Sequence, residues 1–160
     1  MRRLLLLLLC LPLPALAGGG ASCRVDAVPV ANRLHCLHAG RALSVDLRGI
    51  RVPADDAAAE TARQRLSELV LGREIRLLRP QRLATGHWRA AVWSEPLDCP
   101  GCGQTLDCAR ALLTTGSVHF QPDPALSPEE AEQYRFEEDE ARARHHGLWA
   151  APGNGPSEPR

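Results

Sequence analysis

Between residues 22 and 30 apolar and polar positions alternate, with Cys23, Val25 and Ala27 set against Arg24 and Asp26. A period of two is that of a strand with one buried face. Residues 33–38 predict a second short strand, and His38-Ala39-Gly40-Arg41 the turn after it. A third strand spans 42–50, with Leu43, Val45 and Leu47 on one face and Asp46 and Arg48 on the other. Pro53 ends that segment, and Asp55 or Asp56 can accept from the N–H groups that open a helix. The period then lengthens. Ala58, Ala62, Leu66, Leu69 and Val70 recur at helical spacing up to Gly72, a residue suited to the left-handed turn that closes helices. Residues 74–78 and 87–93 predict two more strands around a loop at 80–86, and 106–115 a short helix ended by Gly116. The last helix carries the most signals. Ser127-Pro128-Glu129-Glu130 combines a cap, a proline at the first helical position and acids at the positive dipole end. Ala131, Tyr134, Glu138 and Ala141 share one of its faces, and His145-His146-Gly147-Leu148 terminates it. There is no internal repeat.

The ends of the chain read differently. Met1-Arg2-Arg3, an apolar run over residues 4–13 and Ala15-Leu16-Ala17 make a Sec-type signal peptide, residues 1–17. The run is too short to span a bilayer, so export, periplasmic or secreted, is expected. Residues 18–150 then form one domain, and 151–160, rich in Pro, Gly and Ser, read as a disordered tail. The whole chain sets 19 basic against 19 acidic side chains, every basic one an arginine. Loss of the leader removes Arg2 and Arg3 and no acid, which leaves a net charge of −2. A polyanion partner requires a basic face. The expectation is a monomer with no nucleic-acid partner and no transmembrane segment after cleavage.

Five cysteines stay with the mature chain: Cys23, Cys36, Cys99, Cys102 and Cys108. Disulfides are the default in an oxidising compartment, and an odd count leaves one thiol over. A lipid on Cys23 would restore an even number, although Gly20-Ala21-Ser22 lacks the usual leucine of that signal. Cys23 and Cys36 lie on neighbouring predicted strands and can bridge them. Cys99-Pro100-Gly101-Cys102 belongs to an insertion near 94–104, with Cys108 shortly after. C-x-x-C serves zinc and redox chemistry alike. A zinc knot wants a fourth ligand, and a thioredoxin-type motif opens a helix after a parallel strand. Neither context is present, and a disulfide-braced loop is the preferred reading. His35, His38, His145 and His146 are weaker metal candidates, since histidines at a helix end usually serve its dipole. Trp88 and Trp93 lie five apart, hence on opposite strand faces, as packing residues rather than a base-stacking platform. Glu137-Glu138-Asp139-Glu140 reads as a solvated helix face.

The run Val45-Asp46-Leu47-Arg48-Gly49-Ile50-Arg51-Val52-Pro53 resembles a signature of the staphylococcal-nuclease-like (thermonuclease) family, roughly V-R-L-x-G-I-D-x-P-E. Val45, Leu47, Gly49, Ile50 and Pro53 keep its apolar frame. Leu69-Val70-Leu71-Gly72-Arg73 before a strand and Ala109-Arg110-Ala111-Leu112-Leu113 before Gly116 add to the resemblance. So do Glu140-Ala141-Arg142 and His146-Gly147-Leu148-Trp149, which extend it over about residues 28–149. The resemblance implies an α+β fold, a five-stranded OB-type β-barrel with three α-helices. It also implies a chemistry: carboxylates that hold a hard cation, usually calcium, a carboxylate that handles water, and two arginines on the phosphate.

The letters at those positions are wrong for that chemistry. The metal carboxylates fall on Asn32 and Arg51, the water-handling glutamate on Ala54, and the two arginines on Asp46 and His87. Asp46 and Arg51 could simply pair with each other. The expectation is a catalytically degenerate module of the cell envelope, a pseudoenzyme that binds a protein partner or serves structure and needs no cofactor. One alternative is a divergent calcium-dependent phosphodiesterase that uses the shifted residues Arg48, Asp55 and Asp56, with His87 as cation or general acid. Shifts of several ångströms weigh against it, because catalytic geometry tolerates about half an ångström. The other alternative is a metal-binding protein centred on Cys99, Cys102 and Cys108.

Overall fold

The computed structural model describes residues 20–150; the expected signal peptide and tail lie outside them. The chain forms β1 (Ala21–Val30), β2 (Arg33–His38), β3 (Arg41–Leu47) and a short β4 (Ile50–Arg51), then α1 (Asp56–Val70). β5 (Glu74–Arg82) and β6 (Trp88–Ser94) follow, then β7 (Leu106–Asp107), α2 (Cys108–Thr114), β8 (His119–Phe120) and α3 (Pro128–Ala143). A 3-10 turn at Gly147–Trp149 ends the described part.

The principal strands run in the order β3-β2-β1-β5-β6, and a β3–β6 pairing closes the sheet into a barrel. That closure is parallel, while every other pairing is antiparallel. Five strands and three helices make the α+β, OB-type architecture. In β1 the alternation holds as read: Cys23 and Val25 are buried, Arg24 and Asp26 exposed. Leu34, Val45, Ile75, Leu77 and Val92 fill the interior, and α1 lays Ala62, Leu66 and Val70 against it. Asp55 caps α1 by accepting from Ala58 N at 2.9 Å. At α3 both halves of the capping box form, Ser127 with Glu130. Trp88 packs on the core cluster, in line with Ala90 and Val92 on its face of β6.

Two glycines permit close approaches that fix the helices. Gly49 has φ +79°, and a Cβ there would lie 2.6 Å from the Tyr134 ring. Tyr134 can therefore bring α3 against the β3–β4 turn, and its hydroxyl donates to Asp107 Oδ2 at 2.7 Å. Asp107 in turn caps α2. Burial raises the Asp107 carboxyl above its ordinary range in spite of that bond. Gly147, φ +51°, packs its backbone on that of Gly116, whose carbonyl accepts from Leu148 N at 2.9 Å.

Several expectations shift. The third strand stops at Leu47, because Gly49 turns the chain left-handed and Ile50–Arg51 pairs with β8 instead. The fourth strand continues to Arg82 through a one-residue bulge, where Leu78 opposes Ala91 and Gln81 opposes Arg89. The bulge holds Arg79 at φ +50° and Pro80, a residue with no N–H for a ladder. The run 137–140 is not simply a solvated face. Glu137 accepts from Arg110 and Thr114, and Glu138 accepts from the Phe120 amide at 3.0 Å.

Cys23 and Cys36 are disulfide-bonded across β1 and β2, and Cys99 is bonded to Cys102. A lipid thioether on Cys23 would compete with this bridge for the same sulfur. The odd cysteine is Cys108, buried beside Ser94 Oγ at 3.4 Å. Among the described residues no helix is long and apolar enough to cross a membrane.

Candidate functional site

A small cleft of about 100 Å³ opens at the end of the barrel, where β3 leaves the sheet. Asn32, Asp46, Gly49, Arg89, Gln121 and Asp123 line it. Asp46 sits where three strands meet, in register with Arg33 on β2 and with Arg89 on β6. Opposite charges at directly facing positions attract. Arg33 takes the carboxylate with both prongs, Nε to Oδ1 at 2.5 Å and Nη2 to Oδ2 at 3.1 Å. The hydrogen bond to Asp46 raises the Arg33 guanidinium above its ordinary value, against the opposing effect of burial.

Beneath the cleft lies Arg48, 1% exposed and the largest fully buried side chain of the described part. Its Nη2 donates to the Arg79 carbonyl at 3.1 Å, an oxygen that the β5 bulge turns inward. Its Nε stands 3.7 Å from Asp123 Oδ1, and neither Nε nor Nη1 has a hydrogen-bond partner. Burial lowers the Arg48 pKa, with the Asp123 charge working the other way. Asp123 is shared: Arg89 Nη1 lies 3.5 Å from Oδ2, and Ala125 N donates to Oδ1 at 2.9 Å. Arg79 pairs with Glu130 at the start of α3. Burial would raise the Glu130 carboxyl, but the Arg79 and Ser127 bonds outweigh it and hold the group below its ordinary value.

Four arginines, Arg33, Arg48, Arg79 and Arg89, thus face three carboxylates, Asp46, Asp123 and Glu130, with Asp123 shared between Arg48 and Arg89. A divalent cation entering the cleft meets two carboxylates already opposed by arginines. A phosphate meets Asp46 and Asp123 beside a half-exposed Arg89.

Of the five positions that the thermonuclease resemblance marks, Asn32 and Asp46 line the cleft, and Arg51, Ala54 and His87 do not. Asp46 pairs with Arg33, not with Arg51, which is exposed; the Asp46–Arg51 bridge is replaced by a cross-strand one because β2 puts Arg33 in register. The shifted set does not converge either. Arg48 is sealed in the interior, Asp56 is exposed in the first turn of α1, and Asp55 is spent on the helix cap. Asp55 faces a different groove, bordered by Gly116 and Gly147. Nor is the Cys99, Cys102 and Cys108 trio a ligand set. Two of the sulfurs are bonded to each other, the third is in the core, and among the described residues no three His, Cys, Asp or Glu side chains gather to hold a metal. His35, His145 and His146 are exposed, and His38 Nδ1 meets the Ser22 carbonyl at 2.6 Å.

The residues that sequence reasoning missed are Arg33, Arg79, Arg89 and Asp123. Asp123 had a local signal, since Pro122 and Pro124 on either side fix its backbone. The arginines had none, because their meeting depends on strand register and on a bulge. No family model matches this sequence, and no curated protein is significantly similar to it.

Proposed function

We propose that this chain is an exported, thermonuclease-like barrel that no longer hydrolyses phosphodiesters and acts as a binding or structural module of the cell envelope. The observation that carries this reading is the two-pronged Arg33–Asp46 pair. It stands where the resembled family keeps a phosphate-gripping arginine, and an anion would have to displace it. Transition-state stabilisation needs donors aimed at developing negative charge. A carboxylate at that spot does the opposite. The two disulfides fit an oxidising compartment.

The test is to incubate the mature chain with single-stranded DNA and calcium beside an EDTA control. No EDTA-sensitive cleavage is expected, and Arg48→Ala or Asp55→Ala should leave the background unchanged. EDTA-sensitive cleavage that disappears in either variant would refute the reading in favour of a nuclease with relocated residues.

A further inference from the structure

We propose that Cys99–Cys102 is a thiol–disulfide exchange site that takes two electrons from dithiols, while Cys23–Cys36 is a permanent brace. The two bridges differ in every property that governs exchange. Cys23 and Cys36 are each 1% exposed, inside the barrel wall. Cys102 is exposed and Cys99 partly so, on the loop that joins β6 to β7. A thiolate must reach a disulfide sulfur along the S–S axis, and this loop leaves room for it. Around Gly101 and Gly103, on either side of Cys102, there is open space even for an added Cβ. The loop also borders an open groove of about 380 Å³, which Pro100 of the motif lines together with Arg24, Arg73, Glu74 and Glu95.

The fold does not depend on this bond. The cysteines are three residues apart, against thirteen for the other pair. A ring that small removes little entropy from the unfolded chain. Other bonds hold the loop: Gly101 N donates to Glu95 Oε1 at 2.5 Å, Cys102 N to the Cys99 carbonyl at 3.1 Å, and Arg73 Nη1 to the Glu95 carbonyl at 3.2 Å. Cys108 takes no part. It is buried, and burial pushes its thiol up to about 12.

Atoms and electrons balance as follows. A thiolate of the incoming dithiol attacks Cys102 Sγ; the Cys99–Cys102 bond breaks, a mixed disulfide forms, and the Cys99 thiolate leaves and takes up a proton. The second thiol of the reagent, as thiolate, then attacks its own sulfur in the mixed disulfide. Cys102 is released as a thiol and the reagent departs as a disulfide, two electrons poorer.

The experiment equilibrates the native, oxidised mature chain in graded ratios of reduced to oxidised dithiothreitol, quenches with a maleimide and maps the labelled cysteines by mass spectrometry. With the maleimide added in denaturant, the expected result is a species labelled at Cys99 and Cys102 beside the always-reduced Cys108 but not at Cys23 or Cys36, formed at a ratio at least about tenfold lower than that which opens Cys23–Cys36, with the near-ultraviolet circular dichroism of the unquenched sample unchanged. Concerted opening of both bridges, or reduction of Cys99–Cys102 only in urea that unfolds the chain, would overturn the proposal. The point of attack is read from single variants and a mixed-disulfide reagent. Cys99→Ala should form an adduct at Cys102 about tenfold faster than Cys102→Ala forms one at Cys99; equal rates would overturn Cys102 as the attacked sulfur.

Discussion

Asp123→Asn isolates the charge that holds Arg48 in the interior. The substitution keeps the side-chain shape and an Oδ1 acceptor for the Ala125 amide, which now donates at 2.9 Å. What is lost is the attraction across 3.7 Å between two side chains that are 1% and 8% exposed. At an effective dielectric constant of about 20 that attraction is about 4.5 kcal/mol. Arg79 and Arg89 repel the same guanidinium and reduce the net value. An ion left buried without its partner costs about 3–5 kcal/mol, so Asp123→Asn should lower unfolding stability by about 3 kcal/mol. Arg48→Met is milder. It forfeits the bond to the Arg79 carbonyl but also removes two nitrogens, Nε and Nη1, that have no partner. It leaves Asp123 with Arg89 at 3.5 Å. The lost bond and the lost Asp123 attraction are partly offset, because each unpartnered group costs about 1–3 kcal/mol to bury, and a net loss of about 1–2 kcal/mol is expected. The double variant should return to within about 1 kcal/mol of the parent, a coupling of at least about 3 kcal/mol. Urea unfolding at neutral pH, with both disulfides intact, measures all three. If the two single losses simply add, or if Asp123→Asn costs less than about 1 kcal/mol, the Arg48–Asp123 attraction is not what secures this end of the barrel.

Gly147→Ala should destabilise more than Gly86→Ala in the same urea assay. Both have positive φ, which costs an alanine about 1–2 kcal/mol. Only at Gly147 would the added carbon meet backbone, 2.4 Å from the Gly116 oxygen; equal losses would mean that the close approach is dispensable. A pH dependence follows from Glu130 and Glu137, both held below their ordinary value near 4.5. In each, burial pushes the carboxyl up, and arginine hydrogen bonds outweigh it. Their contribution is present above the unfolded value and is lost as pH falls through the lowered folded values. Asp107, raised by burial, runs the other way and becomes less costly in acid. Glu137→Gln should therefore flatten the fall of the urea midpoint between about pH 5 and about pH 3; an unchanged slope would show that the Arg110–Glu137 pair does not stabilise the native state.

Much of this molecule is local and can be read in one dimension. The alternation of Cys23 and Val25 with Arg24 and Asp26, the helical spacing of Ala62, Leu66 and Val70, and the Ser127–Glu130 capping box each act within a few residues, and the structure keeps all three, although a register shift after Val25 leaves Ala27 half-buried and buries Val28. The replaced letters at Asn32, Asp46, Arg51, Ala54 and His87 are likewise plain in the sequence. Which partners those side chains find is decided at another scale. Arg33 meets Asp46 only because β2 and β3 settle in that register, across a separation of thirteen residues. Arg48 goes inward only because a bulge at Arg79 offers it a carbonyl and the 121–126 segment brings Asp123 beside it. Periodicity and capping depend on neighbours along the chain, whereas compensation of a buried charge depends on whatever the closed barrel brings within a few ångströms, and a linear pattern carries no such distances.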